Sequence, residues 1–329
     1  MPKPGAPCSL SRLRGRGGEG AARRDRDISN SGQHTGSAMS TFIQYTLSGL
    51  AIGGIYALVA LGFHIMWTAA KAVNFAHGDT LMIGAVLAVL GVDAGLPLWL
   101  ACGLGVVAGA LFGILLERFA VRPFTGGTTS IGWMLTTIAV GIMIESLATM
   151  QFGGFSRPLP SPGVEKAVHI LGAGIYPQEL LIPLVAILAM VGLKFMQKHT
   201  LVGRAMQAVA HDKRAAALMG INVNRIVAFS FGLAALFGAA AGILVAPVIQ
   251  VSATMGTLLG LKGFAVAIIG GITSAPGVVI AGLLFGVMEK FVEGYISTAA
   301  REIIGFSSMI LVLLVFPQGL FGKREVLKV

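Results

Sequence analysis

Long apolar runs alternate with short polar stretches along most of the chain. About 20 consecutive apolar residues are enough for a helix to cross a bilayer. The pattern predicts such spans near residues 42–67, 97–117, 130–150, 178–196, 226–248, 276–293 and 303–321. Two further segments, about 75–92 and 258–273, are apolar but interrupted by glycine and polar side chains. In hydrocarbon every backbone polar group must be satisfied within the segment, which selects helices. The expected fold is therefore an all-α, polytopic integral membrane protein. It has about eight transmembrane helices, with one or two broken or re-entrant segments.

Composition agrees. Hydrophobic residues make up 55% of the 329 residues and charged ones 12%, with a mean hydropathy of +0.83. A soluble domain carries about a quarter charged residues, so a soluble enzyme is excluded, as are a disordered chain and a disulfide scaffold. The two cysteines, Cys8 in a polar tail and Cys102 in an apolar run, form no framework. The net charge of +10 would suggest nucleic acid in a soluble protein. Here the basic residues lie in a tail and in loops, no nucleic-acid motif is present, and the positive-inside bias explains them.

That bias orients the chain. Residues 194–225 carry Lys194, Lys198, Arg204, Lys213, Arg214 and Arg225 against the single acid Asp212, so this loop is expected on the cytoplasmic side. Arg118, Arg122, Lys323, Arg324 and Lys328 are expected there too, and the proline-rich loop 151–177 outside. Residues 1–38 differ from the rest: they are rich in Gly, Arg and Ser, with seven basic and three acidic residues and no apolar run. They are expected to be a disordered basic tail, with translation beginning at Met39 and residues 39–329 forming one transmembrane domain. If 75–92 crosses fully, the N-terminus falls outside the cytoplasm, the wrong side for that tail. Either the tail is not made or an early segment is re-entrant.

Glycines recur every four residues at Gly105/Gly109/Gly113, Gly49/Gly53, Gly238/Gly242 and Gly282/Gly286. They suit close helix packing, or simply reflect the glycine content of membrane helices. No strict internal repeat is visible. No phosphate loop, zinc motif or nucleophile elbow is present, so no catalytic residue, metal site or chain-bound cofactor is expected.

Three stretches stand out. Asn74-Phe75-Ala76-His77-Gly78-Asp79 lies between a span and an interrupted segment. Polar groups at membrane depth face cavities or other helices, and a helix starting after His77-Gly78 would aim N–H groups at a cavity that could hold a carboxylate. An interfacial loop capped by Asn74 or Asp79 is the plainer alternative. Glu145, an acid within a span, either lines a path or pairs with another helix. The stretch Leu201–Ile221 reads as a short helix with Val202, Met206, Val209 and Ala216 roughly on one face and Gly220 as its C-terminal cap. It can dock on a cytoplasmic partner or lie on lipid. Lys262-Gly263 and then Gly270-Gly271 to Pro276-Gly277 read as a helix break, a hinge or a plain turn. Glu289 and Glu293 are expected near a membrane face, and His64 as a satisfied interior histidine.

The chain resembles the permease subunits of bacterial ABC importers for branched-chain amino acids, in particular the smaller of the two paired permeases. The resemblance rests on "GGIYALVALGFHIMW", "VNFAHGDTLMIGA", "ERFAVRP", "VGRAMQAVAHDKRAAALMGINVNRI", "KGFAVAIIGGITSAPGVVIAGLLFG" and "FPQGLFGKREVLKV" in order from residue 42 to the end. It implies transport of leucine, isoleucine or valine across the bacterial cytoplasmic (inner) membrane. The implied partners are a second homologous permease, two cytoplasmic ATPase subunits that bind ATP and Mg, and an extracytoplasmic binding protein. It assigns residues about 197–225 to ATPase docking, with Gly203, Arg204, Asp212, Arg214, Ala215, Ala216 and Gly220 as its markers. Arg214 stands where many ABC permeases carry glutamate, which puts in doubt any salt bridge that glutamate would make. Asn74, His77, Gly78, Asp79 and Glu145 are the candidate path residues. Urea, short amides and other amino or organic acids are alternative cargoes, and a stand-alone secondary transporter is an alternative mechanism. That mechanism should show inverted repeats and intramembrane ionisable groups.

Overall fold

The computed structural model describes residues 19–124, 132–170 and 173–322, and the side chains of 39–124, 132–168 and 174–322. The residues 1–18 and 323–329 of the expected tails, and the start of the expected span 130–150, lie outside this set. Helix α1 (Glu19–Ala70) is followed by α2 (His77–Asp93) and by α3 (Leu98–Leu116), which continues through a π turn at Glu117–Val121. Helix α4 (Gly132–Phe152) leads to a small antiparallel hairpin of β1 (Val168–Ile170) and β2 (Ala173–Ile175). Then come α5 (Pro177–His199), the short α6 (Leu201–His211) and α7 (Lys213–Leu218), α8 (Val223–Ile249), α9 (Met255–Gly270), α10 (Ala275–Tyr295) and α11 (Thr298–Val315).

Seven stretches are long and apolar enough to cross a membrane: Met39–Ala70 of α1, Leu98–Phe124 and helices α4, α5, α8, α10 and α11. They match the seven expected spans. The two interrupted segments are α2 and α9, with 17 and 16 residues. At 1.5 Å per residue each is about 25 Å long, short of the roughly 30 Å hydrocarbon core.

Contacts at the helix ends sort the molecule into two faces. On the basic face, Lys213 Nζ donates to Ala70 O at 2.6 Å, Arg122 to Asn224 O at 3.2 Å, and His64 Nδ1 lies 2.7 Å from Ile272 O. These contacts gather α7, the end of α1, the turn after α3, the start of α8 and the α9–α10 turn. On the opposite face, Arg157 pairs with Asp93 at 3.2 Å and bridges Val251 through the backbone. There the end of α2, the connection after α4 and the α8–α9 connection meet. Helix α1 therefore runs from the opposite face to the basic face, and the chain then turns back.

Residues 71–76 re-enter the protein, and α2 starts well inside it: His77 Nε2 lies 3.2 Å from Val59 O, about three turns before the end of α1, and a Cβ on Gly238, midway along α8, would meet the side chains of His77 and Thr80. Helix α9 starts at the same depth. A Cβ on Gly256 would lie 2.7 Å from Gly78 O, and one on Gly260 2.6 Å from Gly78 Cα. From that junction α2 runs to the opposite face and α9 to the basic face, so two half-helices meet N-terminus to N-terminus inside the molecule.

The two halves of the chain are built alike and inverted. Helix α1 packs on α8 and α2 on α9; α2 on α3 is matched by α9 on α10, α3 on α8 by α10 on α1, and α2 on α4 by α9 on α11. No sequence repeat announces this; at the junction Gly78 of α2 faces Gly256 and Gly260 of α9. The glycine series line the corresponding seams. Gly105 and Gly109 of α3 pack against α2 and α8, and Gly282 and Gly286 of α10 pack against Gly53 and Ala57 of α1. Lipid offers no hydrophobic drive between helices, so close backbone approach supplies the attraction.

Lys262 and Gly263 correct the expected break. Both lie inside the unbroken α9 and are buried. The chain bends after it, at Gly271 (φ +84°), and Ser274 caps α10 by accepting from Gly277 N–H. Lys262 is instead the centre of a buried ionic cluster. Its Nζ lies 2.9 Å from Glu289 Oε1 and 2.9 Å from Glu302 Oε1, and Tyr56 Oη donates to Glu289 Oε2 at 2.7 Å. Arg301 joins Glu302 to Glu293. Glu289, expected near a membrane face, is therefore an interior residue held between α1, α9 and α10. His64 is an interior residue with a backbone partner, in line with its reading from sequence.

Candidate functional site

The junction of the half-helices is ordered by its own polar groups. Asn74, 1% exposed, accepts from Ala76 N–H through Oδ1 at 2.9 Å, and its carbonyl accepts from His77 N–H. Thr80 Oγ1 donates to His77 O at 2.7 Å. Asn74 thus shapes the turn that precedes α2, and neither it nor Asp79 caps the helix. His77 is packed edge-on against Phe63, with centroids 4.8 Å apart, and a Cβ on Gly62 would collide with its ring. It supports the junction from behind. Neither α2 nor α9 has a side-chain cap, so both place uncapped, positive dipole ends at the middle of the protein.

In front of the junction lies a cavity of ≈ 260 Å³. Asp79, Glu145, Thr257 and Gly141 line it, with Phe63, Phe75 and Phe264 as an aromatic wall. Thr257 Oγ1 donates to Glu145 Oε2 at 2.9 Å, which ties α9 to α4. Asp79 and Glu145, expected as path residues, are brought together here; Asn74, His77 and Gly78 build the wall behind. A larger cavity of ≈ 480 Å³ lies toward the basic face, lined by Trp67, Val73, Ile268, Ile272 and Leu313. Phe264 lines both cavities. Its ring packs on Phe63 and Phe75, at centroid distances of 5.3 and 5.8 Å, so an aromatic cluster divides the two spaces. Sequence reasoning missed these phenylalanines, because one more apolar side chain carries no contrast in a chain this apolar.

On the basic face, Thr200 Oγ1 accepts from Gly203 N–H to start α6, and Asp212 Oδ1 accepts from Arg214 and Ala215 N–H to start α7. Those N–H groups, Ala215 first, hold the Asp212 carboxyl below the usual carboxylate range. Gly220 closes α7 at φ +84°, with its N–H on Ala217 O at 3.0 Å. The stretch expected as one helix is two, broken at the extended Asp212, and three of its four stripe residues are used within the chain: Met206, Val209 and Ala216 are buried, Val202 is 41% exposed, and Gly203 packs directly on Met196 and Gln197 of α5. Leu218 and Met219 are what face outward, 90% and 72% exposed, beside exposed Arg204, Asp212, Arg214 and Ala215.

A family model described as the branched-chain amino acid transport system / permease component matches residues 45–315. The high-affinity branched-chain amino acid transport system permease protein LivH of Escherichia coli (strain K12) is 33% identical over 307 residues, covering 88% of this chain and 98% of that protein. Permease protein BraD of Pseudomonas aeruginosa is 33% identical over 303 residues, with the same coverage. The ribose import permease protein RbsC of Escherichia coli (strain K12) is 26% identical over 265 residues, covering 74% and 75%.

Proposed function

The chain belongs to the permease components of branched-chain amino acid transport systems, and from that premise we propose that it moves leucine, isoleucine or valine inward along the α2/α9 junction. The observation that carries this is the pair of half-helices that meet head to head beside two cavities, parted by the Phe264 cluster. Broken helices at a midplane site are how membrane proteins present backbone and polar groups to a solute. The inverted halves also fit a secondary transporter, so architecture does not separate the two mechanisms. Membership in the family favours the ATP-driven one.

In this reading the basic face is cytoplasmic, the protein sits in the bacterial cytoplasmic membrane, and α6 and α7 present Leu218, Met219 and Arg214 to an ATPase subunit. A second permease, two ATPases that bind ATP and Mg, and an extracytoplasmic binding protein complete the importer. The exposed apolar faces of α4 and α11, with Met143, Met150, Leu311 and Leu314 outward, suit lipid or the second permease.

Radiolabelled leucine uptake in cells with and without the gene tests the reading. Uptake should fall on deletion, be competed by valine and isoleucine but not by urea or acetamide, and collapse on ATP depletion while surviving loss of the ion gradient. Unchanged leucine uptake would reject the cargo, and the reverse energetics would reject the mechanism. A second expectation concerns coupling. Proline fixes φ near −65° and lacks the N–H, so Gly220→Pro cannot keep the turn that closes α7. Uptake should drop at least about tenfold (roughly 1.4 kcal/mol in the rate-limiting step) at normal membrane levels of the protein.

A further inference from the structure

The cavity in front of the junction has a definite charge character. Its acids come from two helices, Asp79 on α2 and Glu145 on α4, and its lining holds no Lys, Arg or His among the described residues. Glu145 is engaged by Thr257. Asp79 is not engaged: it is 5% exposed, and its carboxylate has no hydrogen bond or ion pair among the described residues. It points across the cavity at Gly141, where a Cβ would come within 2.6 Å of its Oδ2. A carboxylate withdrawn from water is costly unless a cation or donors meet it. The dipole of α2 offsets part of that cost. The rest is left open on the cavity side, where Gly141 keeps the space clear.

We propose that this cavity is a subsite for an amino acid, in which Asp79 pairs with the substrate's ammonium group and the wall of Phe63, Phe75 and Phe264 receives its branched side chain. The assignment rests on the reading of the cargo as a branched-chain amino acid and adds the chemistry by which the permease itself recognises it. Aromatic faces beside the carboxylate add to the attraction for a cation, and they give an apolar side chain a surface to bury. The volume lies just below the usual range for small-molecule pockets, roughly 300–1,000 Å³, which suits a single small solute. A sugar or an amide can offer Asp79 neutral hydrogen-bond donors but no opposite charge, and an organic anion is repelled by it. Discrimination against them is therefore built into the membrane subunit as well as into any binding protein.

The test uses the complete importer in proteoliposomes, with its binding protein saturated with leucine. Asp79→Asn should lower leucine uptake at least about tenfold, while ATP hydrolysis stimulated by the loaded binding protein stays within about twofold of wild type. Asp79→Glu, which keeps the charge, should retain most of the uptake. A thermal-shift measurement on the same detergent-purified complex separates this from the cargo reading. Leucine analogues lacking one charge serve as probes. 3-Methylbutylamine should stabilise the wild type and not Asp79→Asn, and 4-methylpentanoate should stabilise neither. Wild-type uptake by Asp79→Asn, equal losses of uptake and ATP hydrolysis in both variants, or an amine shift that is absent or independent of Asp79 would each overturn the proposal. A wild-type importer that moves no leucine yet shows the Asp79-dependent amine shift would remove the cargo reading and leave the ammonium subsite standing.

Discussion

Adding one methyl group at Gly78 is expected to abolish transport. The Cβ of Gly78→Ala would land on the carbonyl oxygen of Gly256 and come within 2.8 Å of Gly260 Cα. Both obstacles are backbone, so no side chain can rotate away, and the two half-helices must part. Forced overpacking costs about 1–3 kcal/mol in ordinary cores. A junction closed by main chain on both sides should sit at or above the top of that range. Gly256→Ala meets Gly78 O at 2.7 Å and should behave alike. Gly103→Ala is the control, since nothing lies within 4 Å of a Cβ there. The expected result is background leucine uptake and a lowered unfolding temperature for the first two, and wild-type values for the third. Normal uptake by Gly78→Ala would mean that the half-helices do not abut during transport.

Removing the cation at Lys262 is expected to be the other large effect. Lys262 and Glu289 are 3% and 2% exposed, and Lys262 also holds Glu302 of α11. Lys262→Met leaves Glu289 charged and buried with Tyr56 as its remaining donor. Breaking a buried pair from one side costs about 3–5 kcal/mol, whereas replacing both members is often close to neutral. Thermal unfolding in lipid nanodiscs should show a severe loss for Lys262→Met and recovery of much of it in Lys262→Met/Glu289→Gln. Equal instability of single and double variants would show that the two charges do not act as a pair.

The unbroken spans were legible because their hydropathy reports one thing, the ability to replace water by lipid or protein all round. What those spans touch is not written in that signal. The segments 75–92 and 258–273 showed their interruptions, yet their depth depends on Gly78 meeting Gly256, a contact between distant parts of the chain with no shared local pattern. Asp79 and Glu145 were visible as acids in apolar surroundings, but not that Thr257 would occupy one and leave the other open. Lys262 was misread as part of a break because Gly263 follows it, and its partners Glu289 and Glu302 lie on other helices. Of the stripe Val202, Met206, Val209 and Ala216, the last three are covered, but Val202 is exposed and the break at Asp212 puts Ala216 on a second helix. Periodicity says that a face is covered, not by whom, and here α6 and α7 cover it with their own chain.

Helix α5 is the one long span with no counterpart in the other half, and parity gives it a role. Each half, α1 to α4 and α8 to α11, crosses four times when its half-helix and re-entrant turn are counted as one passage. An even number of crossings returns the chain to the side where it began, so two such halves joined directly would insert in the same sense. The single odd crossing of α5 turns the second half upside down, and the half-helices can meet head to head only because of it. Of the six basic residues at 194–225, Lys194 and Lys198 lie at the end of that crossing and the other four follow it. By the positive-inside bias such residues hold the far end of α5 on the cytoplasmic side, and with it the orientation of both halves.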